Sequence, residues 1–157
     1  MIVCLINQYY QLEVLRMQNK SLVYLREIDF TNLSYYKSNK YGIEKAVFKY
    51  IGSTDETIGT RTSKWVYKNI NSNNKIGKFL RALMQMYRFK STKELNKYLL
   101  KHTRILKKCN NIEQARATEK TLISVNLWED ANHKRIICLN KRDAEVQISK
   151  DGKYIIK

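Results

Sequence analysis

Glu119 is the residue whose placement most needs a chemical explanation. In the helical pattern IEQARATEKTLISV (112–125) the inward positions are Ile112, Ala115, Glu119, Leu122 and Ile123, so a carboxylate interrupts an apolar stripe. Carboxylates are rarely buried without a cation or a metal as partner. A bridge to Arg61 or to a lysine would satisfy Glu119 and leave it purely structural. Arg61 itself presents a planar fork of donors that matches carboxylate or phosphate oxygens. Tyr24 and Tyr50 lie in β-branched or aromatic segments. A phenol with a reference pKa of about 10 acts as a base near neutrality only when nearby cations favour its ionised form. Taken singly, each tyrosine reads as a strand residue packed on helices.

The charge balance names the class of partner. The chain has 157 residues, 43% of them hydrophobic, and a net charge of +16. Between Arg61 and Lys108 there are 14 Lys or Arg and one acid, Glu94. A cationic excess concentrated in this way points to a polyanion, nucleic acid before an anionic membrane surface. The length fits one compact domain with its own core, and the apolar fraction excludes a mainly disordered chain. Cys4, Cys109 and Cys138 are far apart, and with His102 and His133 they form no zinc-ligand spacing. They are expected to be reduced thiols in a cytoplasmic setting. MIVCLI is too short to span a membrane and is read as the start of an N-terminal helix with Ile2, Leu5, Ile6, Tyr9 and Leu12 on one face.

These groups need elements to position them. SLVYLREI (21–28) and AVFKYIG (46–52) read as strands of an antiparallel hairpin, joined by a polar, irregular connection (32–45), with the second strand broken at Gly52. KIGKFLRALMQMYR (75–88) is a clear amphipathic helix, with Ile76, Phe79, Leu80, Leu83, Met84 and Tyr87 at helical spacing. Ser91 with Glu94, and Asn111 with Gln114, have capping-box spacing at the starts of two further helices. His102 lies on the apolar face of the first and is expected to be packed and hydrogen-bonded. TRILKKC (103–109) reads as a third strand, and KRIICLN, AEVQIS and YIIK as one or two small hairpins with a turn at Asp151-Gly152.

In order, the chain has Leu22-Val23-Tyr24 on a first strand, YIGST (50–54) at the end of a second, Arg61 on or entering a helix, and ARATEKTLI (115–123) on a later helix. This order resembles the GIY-YIG nuclease family over about residues 21 to 126. YIGST matches the second tripeptide and its usual sequel, and Glu119 matches the family's metal-binding glutamate. Members of the homing and phage type, with an amphipathic helix before the third strand, look closest. The chain departs from the pattern at Leu22, where a glycine is usual. It departs again at Trp65, flanked by Lys64 and Tyr67, where many members carry His or Tyr. The gap between Tyr24 and Tyr50 is also longer, which implies an enlarged hairpin loop.

The resemblance implies an α+β fold: a small antiparallel three-stranded sheet flanked by helices (21–126), with an N-terminal helical extension (1–20) and a C-terminal β-rich extension (127–157) packed on it. It implies a DNA endonuclease with one Mg²⁺ (or Mn²⁺) on Glu119. Arg61 would hold the phosphoryl oxygens, Tyr24 would serve as base and Tyr50 as supporting hydroxyl. Gly52 would end the strand and leave room for the phosphate. Trp65, Tyr67 and Asn126 (with Asn132 as an alternative to the last) would support the site. Lys64, Lys68, Lys75, Lys78 and Arg81 would carry the nucleic-acid backbone. No membrane partner is expected. One site per chain would nick; a double cut would need a homodimer or two visits. The alternative is a basic DNA-binding module that keeps the fold without turnover.

Overall fold

The computed structural model describes residues 21–124 and 134–140, together with the backbone of 146–148 and 154–156. The expected N-terminal helix, Asn126, Asn132 and the Asp151-Gly152 turn lie outside the described residues. The elements in order are β1 (Ser21–Asp29), α1 (Tyr35–Tyr41), β2 (Val47–Thr54), α2 (Ile58–Asn69), α3 (Lys75–Met86), α4 (Thr92–Lys101), β3 (Thr103–Cys109), α5 (Ile112–Ser124), β4 (Ile136–Cys138), β5 (Val146–Ile148) and β6 (Tyr154–Ile156).

The strands form a four-stranded sheet in the order β3-β1-β2-β4. β1 pairs antiparallel with β2, from Leu22 opposite Thr54 to Asp29 opposite Val47, and antiparallel with β3 on its other side. β4 pairs parallel with β2 from Val47–Ile136 to Lys49–Cys138. The sheet is therefore mixed and four-stranded, which corrects the expected three-stranded antiparallel sheet. The segment read as the opening of a terminal hairpin is an edge strand of the main sheet. β5 and β6 do pair antiparallel, as a separate two-stranded sheet.

Alternation along the strands divides the core in two. Ile28, Phe48 and Ile137 face α2, α3 and α4, where they meet Trp65, Val66, Phe79, Leu80, Leu83, Leu95 and Leu99. Val23, Leu25, Val47, Ile51, Ile136 and the Cys109 and Cys138 thiols face the other way, toward Ala115, Ile112, Leu122 and Ile123 of α5. The α3 stripe is core packing as its spacing predicts, with Phe79, Leu80 and Leu83 buried and Tyr87 at the exposed end.

The long β1–β2 connection is not irregular throughout. It contains α1, started by Ser34, whose Oγ accepts from the Lys37 N–H, and stopped by Gly42 in the left-handed conformation. At α5 the Asn111 side chain accepts from the Gln114 N–H at 2.8 Å, and Gln114 reaches back to the Asn110 N–H. At α4 the capping box is incomplete: Ser91 makes no side-chain cap, and Glu94 accepts from the Lys90 N–H instead. Among the described residues no helix is long and apolar enough to cross a membrane.

Candidate active site

Tyr24 on β1 stands directly opposite Gly52 on β2. A Cβ at Gly52 would lie 2.3 Å from the Tyr24 Oη and 2.4 Å from its Cζ. Gly52 therefore makes room for the Tyr24 ring to lie across the neighbouring strand. This corrects the expected strand end at that glycine: β2 continues through it to Thr54, and the group its missing side chain admits is a phenol of the same chain. The Tyr24 ring is fully buried, with its centroid 6.4 Å from that of Tyr50. Tyr50 packs in turn on Trp65 of α2 at 4.8 Å.

Arg26, two residues beyond Tyr24, points to the same sheet face and is only 2% exposed. Its guanidinium carbon lies 4.8 Å from the Tyr24 ring centroid and 4.9 Å from that of Trp65. One nitrogen, Nη1, donates to Thr103 Oγ1 at 2.8 Å, while Nε and Nη2 have no partner. Burial lowers the Arg26 pKa; the Tyr24 and Tyr50 phenols oppose that shift, and Arg61 adds to it.

Thr57 caps α2 by accepting from the Thr60 N–H, and the first turns of that helix carry Arg61 and Lys64. Arg61, Lys64 and Lys68 are spaced i, i+3, i+7 and so share one face. They border a cleft against α5. One part, about 430 Å³, is lined by Tyr50, Ser53, Arg61, Lys64, Arg116 and Glu119. The adjoining part, about 370 Å³, adds Trp65, Lys68 and Asn140. Glu119 is half-buried, and its Oε2 accepts from the Ser53 hydroxyl at 2.5 Å.

The electrostatics separate the two ends of the site. Burial, with Tyr24 and Glu119 nearby, pushes the Tyr50 phenol up to about 12, only partly offset by Arg61 and Arg26. Tyr50 is thus a neutral hydroxyl near neutral pH. Arg61 has the opposite balance. Burial works against its charge, but Tyr24, Tyr50 and Glu56 outweigh that and raise its pKa. The Tyr24 hydroxyl is near enough to both arginines to be attracted electrostatically, without reaching full hydrogen-bond geometry with either.

Three of the four expected residues, Tyr50, Arg61 and Glu119, line this one cleft. Tyr24 packs behind Tyr50, below the cleft floor. Lys64 and Lys68 border the cleft, and Lys64 is paired with Glu56. Lys75 opens α3 half-buried, and Lys78 is exposed on the same helix. Arg81 turns to the backbone: its Nη1 donates to the Ile70 and Ser72 carbonyls at 2.8 and 2.6 Å, which ties down the α2–α3 turn. Tyr67 is corrected, since it is 88% exposed and lines a separate groove with Ser63, Val66 and Ile70. Trp65 forms an apolar plate under Tyr50. His102 caps α4, half-buried, with its ring 4.6 Å from that of Tyr98.

Three residues at the site were not anticipated. Arg26 had a signal in the strand alternation Tyr24-Leu25-Arg26, and Ser53 directly follows the YIG tripeptide. Asn140 had none. Its side chain accepts from the Ile51 N–H at 2.8 Å and donates to the Ile51 carbonyl at 2.5 Å, continuing the sheet pairing where β4 stops.

Among the described residues no group of three or more His, Cys, Asp and Glu converges, so the donor set does not fit zinc. A single carboxylate beside a roomy polar cleft does fit Mg²⁺, which keeps most of its waters and takes oxygens from substrate. No protein-family model, curated protein or solved structure matches this chain.

Proposed function

We propose that this protein is a metal-dependent endonuclease of the GIY-YIG kind, cleaving DNA phosphodiesters at the Tyr50–Arg61–Glu119 cleft. The observation that carries this reading is the convergence of those three side chains, from β2, α2 and α5, on one cleft bordered by a cationic helix face.

Each residue has a task suited to its surroundings. Arg61, held charged, pairs with the non-bridging phosphoryl oxygens. Tyr50, a neutral phenol, donates to the phosphate or orients the attacking water. Tyr24 is buried, which supports a positioning role behind Tyr50 and Arg61 in place of the base role that the resemblance implies. Ser53 fixes the Glu119 carboxylate, leaving its other oxygen for Mg²⁺ or Mn²⁺. When bound there, the ion supplies Lewis-acid stabilisation of the leaving 3′ oxygen. Lys64 and Lys68 steer the backbone into the cleft, so affinity falls steeply as salt rises.

One observation favours the alternative of a non-catalytic DNA-binding module: Trp65, packed on Tyr50, stands where a base would be expected. A plasmid-nicking assay with Mg²⁺ or Mn²⁺ separates the two. The wild type is expected to convert supercoiled to nicked DNA, and Glu119→Ala and Arg61→Ala to lose about 10²-fold or more in rate, with Glu119→Ala still binding DNA. A wild type that binds and never nicks leaves the module. Nicking undiminished by Glu119→Ala would remove the site altogether.

A further inference from the structure

Helix α1 has a composition that folding does not explain. Its sequence is YYKSNKY, and none of its residues is buried. It is held by the Ser34 cap, the Gly42 stop, the Ser38 hydroxyl donating to the Ile43 carbonyl at 2.7 Å, and the half-buried Tyr41 ring packed on the core; Tyr35 and Tyr36 take no part in this. Tyr35 is 76% exposed and Tyr36 71%. Two large rings in water contribute little to a core.

The rings are flanked by cations. The Lys45 Nζ lies 4.7 Å from the Tyr35 ring centroid, and the Lys40 Nζ lies 5.6 Å from that of Tyr36. Lys40 is shared with the Tyr41 ring, 5.3 Å away, while both Tyr35 and Tyr36 stay largely open to water. α1 carries no acid in its first turn, and the nearest following carboxylate, Glu44, is paired with Arg135. An exposed aromatic beside an ammonium matches what one unpaired nucleotide offers, a base to stack and a phosphate to neutralise. A protein partner fits less well, because lysine is depleted at the cores of protein interfaces. A duplex keeps its bases stacked on one another and offers the rings no free face.

We propose that Tyr35 and Tyr36, which project about 100° apart around α1, each offer a ring on which an unpaired nucleotide of single-stranded DNA or RNA stacks, at a site separate from the cleft. Tyr50 lies opposite Arg26, so β1 carries the chain three residues, roughly 10 Å at ~3.3 Å per residue, from the level of the cleft to Asp29 before it turns toward α1. Neither Tyr35 nor Tyr36 lines the cleft. Their stacking does not depend on whether the cleft cleaves.

Binding is measured by fluorescence anisotropy in EDTA, with labelled oligo(dT), oligo(rU) and a mixed-sequence duplex. Tyr35→Ala/Tyr36→Ala is expected to weaken binding of at least one single strand tenfold or more and duplex binding by less than about twofold. Tyr35→Phe/Tyr36→Phe should bind as the wild type does. Comparison of the two single strands tells DNA from RNA. Equal losses on single strand and duplex, or no loss on either, would overturn the proposal. A second measurement uses the unaltered protein: photocrosslinks from 5-bromouracil oligonucleotides are expected on Tyr35 or Tyr36, and crosslinks confined to other segments would overturn it equally.

Discussion

The face of the sheet that looks toward α2–α4 has two halves of opposite character. Near the Asp29–Val47 end, Phe30, Phe48 and Phe79 pack with centroids 4.4 Å apart for the stacked Phe48–Phe79 pair and 5.9 and 6.2 Å for the edge contacts of Phe30. Toward the Leu22–Thr54 end, the same two strands carry Tyr24, Arg26 and Tyr50 against Trp65 and Arg61. There the Tyr24 Oη, the Arg26 Nε and Nη2 and the Arg61 Nε are buried without hydrogen-bond partners. Buried polar groups are almost always paired, so a cluster of unpaired ones on an otherwise well-packed sheet marks a region retained for something other than stability. The phenylalanine half holds the fold. The tyrosine–arginine half is tolerated by it.

The largest test of that contrast is a pair of substitutions. Phe79→Ala removes a ring packed on two others and should cost about 3–5 kcal/mol in urea unfolding. Arg26→Met should be neutral or stabilising, since an apolar side chain of similar length replaces a charge that burial penalises. A large loss with Arg26→Met and a small one with Phe79→Ala would reverse the assignment of the two halves.

A smaller effect is expected at Gly52. Gly52→Ala forces its methyl against the Tyr24 ring and should cost about 1–3 kcal/mol. The contact is direct, so the cost should be strongly non-additive: in a Tyr24→Ala background, Gly52→Ala should cost almost nothing. A double-mutant cycle on unfolding free energies measures this. Additive costs would mean that the glycine serves the strand and not the phenol.

What could be read from the sequence follows the range of the interaction responsible. The α3 stripe, the third strand, the Arg61 helix and the inward lean of Glu119 come from periods of two or 3.6 residues, and those are local. α1 has no apolar stripe: its caps and the packed Tyr41 ring hold it, while Tyr35 and Tyr36 face water. β4 is only three residues long, and its parallel register depends on a partner about 90 residues earlier, which no local pattern encodes. Arg26 is a polar member of an alternating strand, a pattern that alone says nothing of burial. That the α2 layer closes over it, with Trp65 and Tyr24 at its faces, is a tertiary fact. Asn140 was invisible for the same reason, since its partner is the Ile51 backbone. Arg81 and Tyr67 show the converse: sitting in a cationic stretch or beside a motif does not say which way a side chain turns.

The smallest expected effect is a difference in alkaline behaviour between the two halves. Tyr50 is pushed up to about 12 by burial and by Tyr24 and Glu119, against about 10 in an unfolded chain. The folded state therefore keeps the phenolic proton after the unfolded state has lost it. Stability from this group is fully present below about pH 10 and is lost as pH rises toward 12. Allowing for residual solvent screening, the loss is on the order of 1 kcal/mol. Tyr98, raised by burial and by Tyr87, acts in the same direction and is common to every variant compared. Tyr50→Phe should therefore flatten part of the alkaline decline in urea stability. Phe79→Ala, which removes no titrating group, should lower the whole curve without changing its slope. If Tyr50→Phe declines as steeply as the wild type, burial does not raise the Tyr50 phenol above its ordinary value, and the contrast between the two halves loses its electrostatic side.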